Sequence, residues 1–183
     1  MIYKTIITDA NIKCLNDAHK AVHRAMHNPD EHKPCPPFMV LGEGMILVQS
    51  DYKPRSKDTI VSEVTVDESD TVKLRVRVAA VKRDTQTKRE KPIMVNGKVD
   101  IAFIKTWIVR RFGEFGLTPV GNGPFVRYCG RVGEAHHGMK NCPMVDIDGV
   151  WKFSDKELLE KLLISKIGRR NFLGLGMVRL VNN

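Results

Sequence analysis

Between Thr71 and Ala79 the apolar and charged positions alternate residue by residue, as Val72-Lys73-Leu74-Arg75-Val76-Arg77-Val78. A period of two puts the four aliphatic side chains on one face of a strand and Lys73, Arg75 and Arg77 on the other. Ile2 to Thr8, rich in β-branched residues, reads as an opening strand. The period then becomes helical between Lys13 and His27, where Cys14, Leu15, Ala18, Ala21, Val22, Ala25 and Met26 form one apolar face. His19, His23 and His27 follow one another at single-turn spacing on the polar remainder. Past Asn28-Pro29-Asp30 and a proline-rich loop, Phe38 to Leu41 and Met45 to Ser50 read as paired strands turning at Gly42-Glu43-Gly44. Ile60 to Val66 reads as another strand.

The second half repeats this grammar with different residues. Lys82 to Lys91 carries Lys82, Arg83, Lys88, Arg89 and Lys91 with little apolar content, and is expected to be a mobile basic loop. Asn96-Gly97 marks a turn. Ile101 to Phe112 has helical spacing, with Ile104 and Ile108 inward. Leu117 to Arg131 and Met144 to Phe153 read as strands around a Gly/His-rich turn at Gly133 to Gly138, in which His136 and His137 are loop residues. Ser154 and Glu157 have capping-box spacing ahead of a helix whose apolar residues are Leu158, Leu159, Leu162 and Leu163. Gly168 is its expected stop, and Leu175 to Leu180 is the last strand.

The resulting order is βαβββ followed by βαββαβ, an α+β chain. Its second half is a complete ferredoxin-like unit and its first half a copy with a degenerate second helix. Residue identities show no internal repeat, so the duplication is one of topology. The boundary is expected near Asp67 to Asp70, giving units 1–68 and 69–183.

At 42% hydrophobic and 28% charged residues the composition is that of a folded domain rather than a disordered one. Thirty Lys and Arg against 21 Asp and Glu leave a formal charge of +9, which favours a polyanionic partner. No apolar run reaches the roughly 18 to 20 residues of a membrane span. The N-terminus has no signal-peptide pattern, and the four cysteines lack Cys-x-x-Cys spacing. A reduced, cytoplasmic protein is the expectation. For the histidines, spacing alone leaves three readings open: a solvated helix flank, a catalytic imidazole, or an i, i+4 pair on a metal ion.

The C-terminal stretch Ile167-Gly168-Arg169-Arg170, followed by Gly174-Leu175-Gly176-Met177-Val178, resembles the glycine-rich motif of the repeat-associated RNA-binding superfamily. Its likeness is greatest to the CasE branch, the CRISPR-repeat endoribonucleases of Cascade complexes. The opening strand and helix, Phe38-Met39-Val40, Ile46 to Ser50 and the alternating strand with its basic extension follow in that family's order. The resemblance implies tandem ferredoxin-like domains, with a short helix near Ser56 to Ser62 that the residues themselves support poorly.

It further implies metal-independent cleavage of a CRISPR repeat hairpin by 2′-OH attack, leaving a 2′,3′-cyclic phosphate, with no cofactor. The partners implied are the RNA stem-loop and other Cascade subunits, with no membrane. His19 matches the family's catalytic position, and His23 does so if the helix is shifted by a turn. Gly168, Arg169, Arg170, Gly174 and Gly176 match the RNA-contacting glycine loop. Arg75, Arg77, Lys82, Arg83, Lys88, Arg89 and Lys91 occupy the region that holds the hairpin. One departure is the family's tyrosine near the histidine: Leu15 or Asn16 stands there, so Tyr3 or Tyr52 serves only if the fold brings it close. That departure keeps open a non-catalytic reading, a CasE-like binding or assembly subunit, including a decoy of a Cascade complex. A general RNA-binding module is a weaker alternative, because no aromatic RNP-type strand is present.

Overall fold

A computed structural model describes residues 1–9, 11, 12, 14–28, 31, 33–42, 44–66, 69–132, 142–170 and 174–181, with backbone alone at positions 15 and 16. Four strands build a first antiparallel sheet: β1 (Ile2–Thr8), β2 (Phe38–Gly42), β3 (Met45–Ser50) and β4 (Thr59–Val64), in the order β2-β3-β1-β4. Helix α1 (Leu15–Met26) lays Ala18, Ala21, Val22 and Ala25 on Ile7, Ile46 and Val48, as the spacing predicts. Arg55 and Ser56 donate their backbone N–H groups to the carbonyl of Ala25, so the chain after β3 closes the end of α1. The short helix implied near Ser56 to Ser62 is not formed. Thr59 to Val64 instead completes the sheet beside β1, pairing Thr5 with Val61.

The second sheet contains β5 (Thr71–Ala79), β10 (Leu117–Pro119), β11 (Phe125–Val132), β12 (Cys142–Phe153) and β13 (Val178–Leu180). Its order is β10-β12-β5-β13 with β11 also on β12, all antiparallel. Helices α2 (Ile101–Gly113) and α3 (Lys156–Ile164) supply the crossovers. Counting β10 and β11 as one interrupted strand, this is the 4-1-3-2 order of a ferredoxin-like unit. The first sheet has the same order without its second helix. The strand expected over Leu117 to Arg131 is broken because Gly121-Asn122-Gly123-Pro124 turns the chain between β10 and β11. The turn expected at Gly133 to Gly138, with His136 and His137, lies outside the described residues. Sheet membership changes between Val64 and Thr71, and we propose the division into units 1–68 and 69–183.

Two expectations for local structure are corrected. The N-cap of α3 is Asp155, not Ser154: its carboxylate accepts from the N–H of Glu157 at 2.8 Å and of Leu158 at 3.3 Å. A carboxylate at this position also meets the positive end of the helix dipole. Lys82 to Lys91 is a hairpin rather than an unstructured loop, formed by β6 (Val81–Arg83) and β7 (Glu90–Pro92). Asp84 organises its turn, accepting from the N–H of Thr87 at 2.7 Å and from Lys91 Nζ at 2.7 Å. Those hydrogen bonds hold the Asp84 carboxyl far below its ordinary range. A second hairpin, β8 (Met94–Val95) and β9 (Lys98–Val99), leads into α2.

The larger core lies between the second sheet and its helices. Val72, Leu74, Val76 and Val78 are packed with Ile104, Ile108, Leu159, Leu162 and Trp151. Ile2 and Val66 belong to this core too, so the first unit is anchored in the second. The most specific join is polar. Gln49 is 1% exposed, and its amide donates to the carbonyls of Leu163 and Val178, each at 2.8 Å. Leu163 is in the last turn of α3, where helix carbonyls lack intrahelical donors. Gln49→Leu leaves two enclosed carbonyls without this donor and should cost about 2–4 kcal/mol. Urea unfolding checks it, and a loss below about 0.5 kcal/mol, that of an ordinary surface change, would refute the clasp.

Candidate functional site

His19 and His23 of α1 and His27 directly after it form a column. The ring centroids of His19 and His23 are 5.2 Å apart and those of His23 and His27 are 5.1 Å apart. Their environments differ. His27 is buried and meets the Tyr52 hydroxyl, with Tyr52 Oη 3.3 Å from Nε2. Burial pushes the Tyr52 phenol up to about 12, so it is a neutral partner at neutral pH. His19 is half-buried at the other end, 6.1 Å from the Phe38 ring between centroids. Its pKa is lowered first by burial, then by His23 and by Lys166. Tyr52 therefore serves His27, while Tyr3 donates to Met1 Sδ at 2.9 Å. Neither tyrosine fills the family's position beside His19.

The C-terminal segment reaches the same place from the second unit. Helix α3 ends at Ile164 with Ser165 as its C-cap, short of the expected stop at Gly168. Ile167 donates to the carbonyl of Gly176 at 2.9 Å, Lys166 bridges to Met177, and Gly176 donates to the carbonyl of Arg77 at 2.7 Å. The two ends of the glycine-rich stretch are thus tied to each other and to β5. Gly174 has φ +70° and lies against Phe38, where an added Cβ would stand 3.3 Å from the ring. A side chain there would be strained by the backbone conformation and crowded by the Phe38 ring. Phe38 thus neighbours both Gly174 and, at 6.1 Å between ring centroids, His19. Lys166 was not singled out by sequence reasoning; its only signal was its place directly before Ile167-Gly168-Arg169-Arg170.

The predicted cations divide into distinct groups. Arg169 Nε and Arg170 Nε donate to the two carboxylate oxygens of Glu90, at 2.8 and 2.7 Å, so the hairpin is docked onto the glycine loop. Burial alone would raise the Glu90 pKa, but the hydrogen bonds from both arginines outweigh it and hold the carboxyl below its usual range. Arg75 pairs with Asp148. Arg77 is bidentate on Asp146, at 2.6 and 2.9 Å. These two belong to an ion-pair network on the sheet face, joined by Arg127 at 3.6 Å from Asp146. Lys82, Arg83, Lys88, Arg89 and Lys91 are exposed on the hairpin, Lys91 being paired to Asp84.

Between that hairpin and α2 runs an open groove of about 420 Å³. It is lined by Lys82, Arg83, Arg110, Lys166 and Arg169, with Trp107 among its apolar residues. Arg110 carries no sequence signal that groups it with the hairpin cations, because its helix is separated from them until the chain folds. Cationic walls suit a polyanion, and Lys166, one of the groove's lining residues, also acts electrostatically on His19. Among the described residues, no helix is long and apolar enough to cross a membrane.

Two ferredoxin-like units, with a histidine helix on the first and a basic groove on the second, define a class of fold. Solved structures of this kind cover the whole chain. The CRISPR endoribonuclease Cse3 bound to a 19-nucleotide RNA is 17% identical, with 100% of each chain covered and a TM-score of 0.72. The CRISPR-associated protein Cas6e from Escherichia coli K-12 is 18% identical, with 100% of each chain covered and a TM-score of 0.69. A chain of E. coli Cascade bound to a PAM-containing double-stranded DNA target is 17% identical over 98% of this chain and 99% of that one, with a TM-score of 0.56. No family model matches the chain, and no curated protein matches its sequence. The fold is CasE-like from end to end.

The histidine environments give a measurable consequence. His19 and His27 are both lowered from 6.5, chiefly by burial, so the unfolded chain takes up their protons before the folded one does. Stability is then full above about pH 6.5 and declines as the pH falls from there through the folded-state values. In an NMR titration of the histidine ring protons, the resonances assigned to His19 and His27 should have midpoints below 6.5. Midpoints at or above 6.5 for His19 and His27 would refute this electrostatic description.

Proposed function

We propose that the chain is a CRISPR-repeat endoribonuclease that binds a repeat hairpin and cleaves it without a metal ion, in association with Cascade-type subunits. The observation that carries the reading is the junction at Phe38, where His19, Lys166 and the glycine loop come together from the two units. Its fold is that of proteins described as CRISPR endoribonucleases, one of them bound to RNA.

The chemistry is proton transfer at a phosphodiester. A neutral imidazole at His19 accepts the proton of the ribose 2′-OH as that oxygen attacks the adjacent phosphorus. Burial and Lys166 both favour the neutral form that this step needs. Lys166 offers positive charge to the oxygens of the crowded phosphate as the negative charge on them grows. The 5′-oxygen leaves with a proton, and His23 is the second imidazole within reach of the first. The products are a 2′,3′-cyclic phosphate and a 5′-hydroxyl. The exposed hairpin cations and the groove beside α2 track the backbone of the RNA stem, which proteins read through shape and phosphates.

Binding and chemistry separate experimentally. Replacing exposed Lys82 and Lys88 with Ala should weaken hairpin binding and flatten its salt dependence, by about one unit of logarithmic slope or less per lost contact. An unchanged slope would remove the hairpin from the interface.

His19→Ala should keep binding and lose about 10²-fold or more in cleavage rate. Lys166→Ala should lose about 10²-fold. Wild-type cleavage should survive excess chelator and stop on RNA with a 2′-deoxy sugar at the cut. Tight binding with no product over hours would instead identify a CasE-like binding subunit, the reading that the displaced tyrosine favours.

A further inference from the structure

Cys35 changes what the histidine pair can do. It lies on the return from α1 to β2 and is buried, 6% exposed, against the helix. One ligating atom each from His19, His23 and Cys35 lies within 4.8 Å of the other two. Among the described residues this is the one convergence of three metal-ligating side chains. The sequence offers no fixed offset that would place Cys35 there; the fold does so by turning the chain back through Pro34, Pro36 and Pro37.

We propose that His19, His23 and Cys35 form a Zn²⁺ site whose occupation switches the cleavage site off. The regulatory half rests on the proposed function above; the metal site itself does not.

The donor set selects the ion. Two imidazole nitrogens and a sulfur are the ligands of Zn²⁺ and other soft or borderline cations, whereas Mg²⁺ and Ca²⁺ take oxygen. His19 and His23, one turn apart on a helix, present their rings to the same side, the geometry of a chelating pair. Zn–N bonds of about 2.0–2.1 Å and a Zn–S bond of about 2.3 Å place tetrahedral ligand atoms about 3.3–3.6 Å apart. Closing the cluster from its present spacing therefore needs side-chain rotation of about an ångström. The Cys35 thiol gives up only a weak contact to the carbonyl of Pro36, at 3.5 Å. On binding, the thiol proton passes to solvent and the thiolate takes the metal.

Three protein ligands leave the fourth position to water or a phosphate oxygen, so the site is an exchanging one. Lys166 faces both His19 and Cys35 and opposes a divalent charge, which keeps the ion removable. Coordination uses the lone pair of His19 that would otherwise accept the 2′-OH proton. Metal binding and general-base catalysis are therefore mutually exclusive at this ring.

The test uses the full chain. Co²⁺ titration followed by absorption should saturate at one equivalent with a thiolate-to-cobalt charge-transfer band. Zn²⁺ should displace Co²⁺ and bleach that band. Cys35→Ser should abolish the band and weaken Zn²⁺ binding, measured against a chromophoric chelator, by at least the roughly 10- to 100-fold that losing an outer-shell partner costs. His23→Gln, on the half-exposed helix flank, should weaken it likewise and guards against a Cys35 variant that fails to fold.

In the cleavage assay Zn²⁺ should inhibit wild type, and a chelator should restore activity. Cys35→Ser should cleave normally without metal and need far more Zn²⁺ for inhibition. A Co²⁺ spectrum without a thiolate band, or equal Zn²⁺ affinity in wild type and both variants, would overturn the site. Metal binding that leaves cleavage unchanged would overturn the switch. A chain that never cleaves RNA overturns the proposed function while the Co²⁺ and Zn²⁺ titrations still decide the site.

Discussion

The placement of Lys166 and the glycine-rich segment against the first unit depends on one buried amide. Gln49 projects from the first sheet and donates to Leu163 at the end of α3 and to Val178 at the start of β13. The residues between those two carbonyls are Lys166, the glycine loop and the Met177 bridge. Fixing both ends of that segment against the first unit fixes what it presents to α1. Apolar contact alone is non-directional and would tolerate sliding of one unit on the other. Two hydrogen bonds from a single planar amide do not, because a shift strips donors from enclosed carbonyls. The approach of Gly174 to Phe38 is the tight packing that this registration permits.

Charge in the folded chain is distributed differently from charge in the sequence. An excess of nine positive charges suggests a broad basic surface, yet several arginines are engaged internally. Glu90 takes both Arg169 and Arg170, and the Arg170 side chain retains only 12% exposure. A guanidinium that enclosed requires its carboxylate, since an unpaired charge there would cost several kcal/mol by about the scale of broken buried pairs. On the sheet face the arginine ends are more exposed, and the Arg75–Asp148 pair orients side chains more than it stabilises the fold. The Asp146 carboxylate is buried and depends on its bidentate pairing with Arg77. Five exposed cations share the short hairpin, and Lys82 and Arg83 of these line the groove beside α2 with Arg110, Lys166 and Arg169. Glu90 thus organises the interface by aligning hairpin and glycine loop, although it is itself an acid in a basic region.

What the sequence reveals follows from the range of the interaction concerned. The alternation in β5, the apolar face of α1, the spacing of Ile104 and Ile108, and the ferredoxin-like order are all periodic or sequential signals, and each was legible. The hairpin at β6 and β7 was not, because its strands are only three residues long and its turn depends on Asp84 side-chain hydrogen bonds rather than on a turn dipeptide. Asp155 displaced Ser154 as the cap by one position, a distinction that needs the backbone angles. His19 was found through resemblance, whereas Lys166 and Cys35 were not found as its neighbours. Their separations from it in sequence, across a loop and across a domain, carry no local pattern. Folding also divided the cations that had been grouped by composition, assigning Arg75 and Arg77 to partners on a strand 69 to 73 residues away.

The displaced tyrosine has consequences for the whole histidine column. His19 and His27 are eight residues apart, about 12 Å along the helix axis, so a phenol held at His27 cannot share a proton with His19. The intervening His23 ring nevertheless couples them, since its charge lowers the proton affinity of the ring on either side. Rings about 5 Å apart resist simultaneous protonation. Burial at both ends adds to that resistance, and Lys166 adds to it at His19 alone. The column therefore favours neutral imidazole at the end that faces the glycine loop. A neutral ring has one lone pair available, which a 2′-OH proton and a soft metal ion would both require. The features that suit His19 to act as a base are thus also those that make it a ligand, and Cys35 supplies the third donor that gives the second outcome a definite geometry.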